Sequence, residues 1–170
     1  MMTLRCTRRL LDLLGCPFDE DPPASTTALG DWYANVIPTA AGDLIFFVNE
    51  RSLLSVALPA EAMETMIPAF VTRVYNLLRN LRVSTDIARR ERDELLPVTY
   101  ATTASRSVLG SMNDIALGYQ VEAVSALEAG RTPRISEAEL AMSRRLHSPL
   151  DHRLPVDVAR SILAEHYGGV

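Results

Sequence analysis

An arginine, two serines, an amide and a carboxylate stand close together in the stretch TASRSVLGSMND, between Thr103 and Asp114. They are Arg106, Ser107, Ser111, Asn113 and Asp114, with Gly110 among them. They fall where a strand-like run hands over to a helical pattern. A helix start presents unpaired backbone N–H groups and a partial positive charge, so the junction predicts recognition of an anionic or carbonyl group, with Arg106 adding charge. The same residues also read as a helix start and nothing more, because Ser111-Met112-Asn113-Asp114 is an S-x-x-D capping box. If the helix begins after Ser107 instead, Gly110 sits in its first turn and Ser111 and Asp114 lie on its surface.

Asn49 and Glu50 form a second polar pair, at a turn after an apolar run. With Glu50 or Asp114 as acid/base and Arg106 as charge stabiliser, the chain would be a small enzyme acting on a phosphate or acyl group. Ser111 as a nucleophile requires a general base within hydrogen-bond reach, and no histidine lies near it in sequence. His147, His152 and His166 lack zinc-site spacing, and there is no Walker loop, no G-x-G-x-x-G fingerprint and no G-x-S-x-G elbow. Neither a metal nor a cofactor is expected. Cys6 and Cys16 lack C-x-x-C spacing and read as packing residues.

These residues need a sheet and a long helix to position them. Met2 to Cys6 reads as a strand, followed by a helix that Thr7 caps and Gly15 ends, with Leu10, Leu11 and Leu14 on one face. Pro17 to Ala28 is a loop in which Ser25, Thr26 and Thr27 satisfy backbone groups. Trp32–Ile37, Leu44–Val48 and Leu54–Leu58 are strands of an antiparallel meander, punctuated by Pro38, Ala41-Gly42-Asp43 and Pro59. A short amphipathic piece, Ala60 to Ile67, precedes a main helix from Pro68 to about Arg82. Ser84 caps a further helix to about Glu94, where the mixed charges of Arg89, Arg90, Glu91, Arg92 and Asp93 predict a solvated face. Leu96, Val98 and Tyr100 alternate in a last strand, which Pro97 places at an edge unless its own N position lies outside the ladder.

Beyond the central motif a long helix buries Met112, Ala116, Tyr119, Ala123 and Leu127, with Asp114, Gly118, Glu122 and Ser125 opposite, and Gly130 ends it. Ser136 and Glu139 make another capping box, with Ile135 and Leu140 at staple spacing, and Pro155 starts a last helix to about His166. The expected fold is α+β: a two-layer domain with an antiparallel or mixed sheet of about five strands and helices packed on it. Residues 1–130 form the core domain and residues 131–170 a C-terminal helical extension of the same globular unit.

At 170 residues, 48% hydrophobic and 22% charged, the chain has the make-up of one globular domain. A net charge of −4 disfavours broad binding to nucleic acid, although all seventeen basic residues are arginine. The longest apolar run, Leu44 to Val48, is far too short to span a bilayer, and Asp12 interrupts Leu10 to Leu14, so neither a membrane helix nor a secretory signal is read. A cytoplasmic location is expected.

The blocks RCTRRL, STTALGDWYAN, FFVNERSLLSV and TASRSVLGSMND together resemble an uncharacterised family of bacterial proteins, a domain of unknown function. The resemblance spans about residues 2–127, and Ala104 stands where the family usually has an asparagine. It implies that Asn49, Glu50, Arg106, Ser111, Asn113 and Asp114 are the positions to test, and it supplies no reaction.

Three functions fit. The first is a binding or regulatory module whose site, around Arg106 to Asp114, takes a small anionic ligand. The second is the phosphate- or acyl-group enzyme outlined above. The third is a protein that binds a partner or its own copies through the C-terminal helices, in the manner of an antitoxin.

Overall fold

Alternation in the strands sends successive side chains to opposite faces of the sheet, and here both sets are apolar. Trp32, Ala34 and Val36 face one side with Ile45 and Phe47, while Tyr33, Ile37, Phe46 and Val48 face the other. Both faces therefore demand cover. The structure, a computed structural model, describes residues 1–168. The strands are β1 (Met2–Cys6), β2 (Trp32–Ile37), β3 (Leu44–Asn49), β4 (Ser55–Pro59) and β5 (Val98–Thr102). The helices are α1 (Arg8–Leu14), α2 (Met66–Asn80), α3 (Thr85–Glu94), α4 (Arg106–Glu128), α5 (Ile135–Ser143) and α6 (Pro155–Tyr167). The sheet order is β4-β3-β2-β1-β5, antiparallel through β2, β3 and β4 and parallel where β1 pairs with β2 and β5.

The α+β class and mixed five-strand sheet agree with the sequence, but helices cover both faces rather than one. Under the first face, α1, α2, α3 and α6 bury Leu10, Phe70, Val74, Leu78, Ala88, Ala159 and Leu163 with Leu4, Trp32 and Phe47. Phe70 meets the Trp32 ring edge-on at 5.2 Å and lies 4.6 Å from that of Phe47. On the second face α4 lays Val108, Met112, Ile115, Ala116, Tyr119 and Ala123 over β2, β3 and β4. The Tyr119 hydroxyl shares a 2.8 Å hydrogen bond with Ser55 in that buried layer. The C-terminal segment joins both layers, since Ala138 of α5 lies in the second and Val156 of α6 in the first.

Each sheet edge is met by a neighbouring segment, which takes up part of the ladder that would otherwise promote strand addition. Along β4, Glu139 of α5 accepts the Ala57 N–H at 3.1 Å, and along β5 the Asp19 N–H donates to the Tyr100 carbonyl at 2.8 Å.

Several local expectations are corrected. Thr7 precedes α1 without capping it, because its hydroxyl donates to Asn35 Oδ1 at 2.7 Å. Residues Ala60–Thr65 form a 3-10 turn and α2 starts at Met66, which leaves Pro68 in the first turn, where its missing N–H costs nothing. Glu91 is fully buried rather than solvated. Its carboxylate accepts the N–H groups of Ala28 and Leu29 and the Tyr167 hydroxyl. Ser136 caps nothing, because α5 already begins at Ile135 and Glu139 turns inward to Arg73, 2.9 Å away. Leu127 is 62% exposed, and Ala126 takes its place in the core. Gly118 lies against α5, where a Cβ would sit 2.5 Å from Met142 Sδ, so the supposed polar face of α4 is partly a helix contact.

Candidate functional site

Ser105, not Ser111, starts the long helix. Its hydroxyl accepts the Val108 N–H at 3.3 Å, and its own N–H donates to the Tyr33 hydroxyl at 3.1 Å, which ties the helix start to the sheet. The S-x-x-D box therefore lies inside α4, and Ser111 is a buried helical residue. With α4 pinned by Val108 and Met112 on the core, Ser107, Gly110, Ser111 and Asp114 follow one another along its flank at helical spacing.

That flank is one wall of a cavity of about 260 Å³. After α5 the chain doubles back, and Arg145, Leu146, His147, Ser148 and Pro149 form the opposite wall. The 3-10 turn Ser148–Leu150 holds this segment in place, with Leu150 packed against the second-face core. His147 is only 7% exposed, and among the described residues its buried Nε2 has no hydrogen-bond partner. Burial, and then the Arg145 guanidinium, push the imidazole below its ordinary pKa, while Asp114 and the Met142 backbone pull it upward. In the neutral ring, a proton on Nδ1, which the Met142 backbone favours, leaves Nε2 as an acceptor.

Folding thus supplies the histidine that the sequence did not place near Ser111. The cavity gathers Ser107, Gly110, Ser111 and Asp114 from the expected set, and Arg106 and Asn113 are exposed outside it. Its cation is Arg145, and nothing in the sequence marked Arg145 or His147 except their proximity to a helix-breaking Ser-Pro pair.

Asn49 and Glu50 belong elsewhere. Asn49 is fully buried and structural: its Nδ2 donates to the carbonyls of Leu29 and Asp31, and its Oδ1 accepts both the N–H and the hydroxyl of Ser52. Glu50 sits beside a polar group that alternation predicts only once β1 is known to lie between β2 and β5. Arg5 is in register with Tyr33 on one side and Ala101 on the other. Its Nε donates to Asp31 Oδ2 at 2.7 Å, and Ser25 donates to Asp31 Oδ1 at 2.6 Å. Burial and the neighbouring Asp31 raise the Glu50 carboxyl above its ordinary pKa, against a lowering by Arg5. Tyr33 is raised by burial and by Glu50.

Among the described residues no group of three or more His, Cys, Asp or Glu is placed to hold a metal ion. No helix of the described residues is long and apolar enough to cross a membrane.

Fold and cavity define an α+β domain with a mixed five-stranded sheet and a polar pocket beside its longest helix. Residues 3–158 match the family described as a domain of unknown function, DUF6933, and the chain belongs to it. The match runs through α5 into α6, so both walls of the pocket lie inside the family domain. No curated protein and no solved structure matches the chain.

Proposed function

We propose that this protein is a bacterial cytoplasmic binding module whose ligand carries an acidic group next to a hydroxyl or amino group. The reading rests on one observation: among the described residues, the buried Nε2 of His147, a residue that lines the pocket, has no hydrogen-bond partner. A buried acceptor left unpaired costs about 1–3 kcal/mol, which a ligand O–H or N–H would remove once a small movement of the His147 ring turns Nε2 toward the pocket. Arg145 can pair with a carboxylate or phosphate, and Asp114 can accept from a hydroxyl or ammonium group. The serine hydroxyls of Ser107 and Ser111 fix orientation. No proton needs to be moved, so the module requires no catalytic base.

The test is thermal unfolding of the wild type, His147→Ala and Arg145→Ala against hydroxy acids, amino acids and phosphate esters. A ligand at 100 times its Kd stabilises the native state by about 2.7 kcal/mol. The reading expects a compound that raises the melting temperature of the wild type and of neither variant. A compound that raises all three equally binds elsewhere and overturns it.

Glu50 supports a second reading, acid–base chemistry on a phosphate or acyl group. Its raised carboxyl lies beside Arg5, which could balance charge developing on a substrate, and Tyr33. That reading expects Glu50→Gln to abolish turnover of a substrate whose binding His147→Ala leaves intact.

A further inference from the structure

The face of α4 that points away from the core is apolar in its middle and charged at its ends. Leu117, Val121 and Val124 are exposed there, and the shallow depression they border is lined by α4 residues alone. Stepping by three and four residues from Leu117 reaches Asn113, Gly110 and Arg106 in one direction and Val121, Val124 and Glu128 in the other. At 3.6 residues per turn all of these fall within about 40° of one line along the helix. Every one of them is exposed.

The line has a symmetry of its own. A two-fold axis through Leu117 sets Arg106 of one copy against Glu128 of another, Gly110 against Val124, and Asn113 against Val121. The opposite charges meet at both ends, and the side chain that Gly110 lacks makes room for the valine. A Cβ at Gly110 would have nothing within 4 Å among the described residues, so no contact among them requires glycine there. We propose that α4 is a self-association surface, on which a second copy of this chain packs antiparallel about Leu117.

The charge pairing selects this occupant and this direction. A parallel pair would set Arg106 against Arg106 and Glu128 against Glu128, which is repulsive at both ends. One helix face is smaller than the ~800 Å² per partner of a standard interface, so the dimer is weak and concentration-dependent. It also accounts for Arg106, which the ligand pocket does not use.

Sedimentation equilibrium of the full chain over a wide concentration range is the test, with far-UV circular dichroism confirming that each variant is folded. The wild type should show a monomer–dimer equilibrium, and Val121→Glu should be monomeric throughout. R106E alone and E128R alone should each weaken the dimer about tenfold, and the double variant R106E/E128R should recover it. In a Cys16→Ser background, Leu117→Cys should oxidise to a disulfide-linked dimer and Val124→Cys should not, since only residue 117 lies on the axis. A wild type that stays monomeric overturns the proposal, because the face then serves another partner or none. A dimer indifferent to V121E, or single charge reversals that the double variant fails to rescue, overturns it equally.

Discussion

Tyr167, at the end of α6, donates its hydroxyl to the buried carboxylate of Glu91 at 2.8 Å, across 76 residues of sequence. The same carboxylate holds the N–H groups of Ala28 and Leu29, so one side chain joins α3, α6 and the long loop that leads into β2. Glu91→Ala leaves two buried amides unpaired and should destabilise by about 2–4 kcal/mol, with Tyr167→Phe costing about 1–2 kcal/mol. Urea unfolding measures both. Equal, small losses would mean that the carboxylate joins nothing.

Glu139 makes stability depend on pH. Burial pushes its carboxyl from the ordinary 4.5 up to about 7, even though Arg73 and the Ala57 N–H favour the charged form. The native state therefore holds a proton between those values that the unfolded chain has released. The contribution of Glu139 to stability is greatest below about pH 4.5, where both states are protonated, and falls as pH rises to about 7. The loss over that interval is on the order of 3 kcal/mol. Glu91 and Glu50 are raised in the same direction, so the slope should be reduced, not abolished, in Glu139→Gln. Denaturant titrations at pH 5 and pH 7.5 on wild type and variant give the difference.

Local pattern carried most of the elements. β1 and α1 follow from the Met2, Leu4, Cys6 alternation and the Gly15 stop, and the meander follows from its turns. What the pattern lacks is any signal of distance. Nothing in β1 says that it inserts between β2 and β5, so the Arg5–Asp31 pair could not be read. Mixed charges around Glu91 look solvated because its partners, Ala28, Leu29 and Tyr167, are more than 60 residues away. Both Ser105 and Ser111 are chemically able to cap α4. The Tyr33 hydroxyl and the burial of Val108 decide for Ser105, and only the folded chain contains that contest. The candidate site was half legible for the same reason: its α4 wall is local, and its His147 wall arrives with the C-terminal segment.

That segment should be inseparable from the core. Deleting residues 131–170 removes Glu139 from the β4 edge, Tyr167 from Glu91, and Val156, Ala159 and Leu163 from the first-face core. Val156 and Leu163 are each worth about 1.5–3 kcal/mol, and with the lost Glu139 and Tyr167 hydrogen bonds the sum approaches the whole stability of a small domain. The shortened chain is expected to show no cooperative thermal transition and to bind a dye for exposed apolar surface. A sharp transition would establish residues 1–130 as an independent domain.

His147 offers the most direct view of the pocket. Its imidazole should titrate below the ordinary 6.5 by NMR, because burial and Arg145 both disfavour its charged form. Arg145→Ala removes a lowering influence and should move the midpoint up, whereas Asp114→Ala removes a raising one and should move it down. The native ring resists a proton that the unfolded chain accepts, so this contribution to stability is present above pH 6.5 and is lost as pH falls through the native midpoint. A ligand that donates to Nε2 needs the neutral ring, so it should lower the midpoint further and bind less well in acid. If the ring titrates at its ordinary value and neither replacement moves it, His147 is in water and the pocket loses its acceptor.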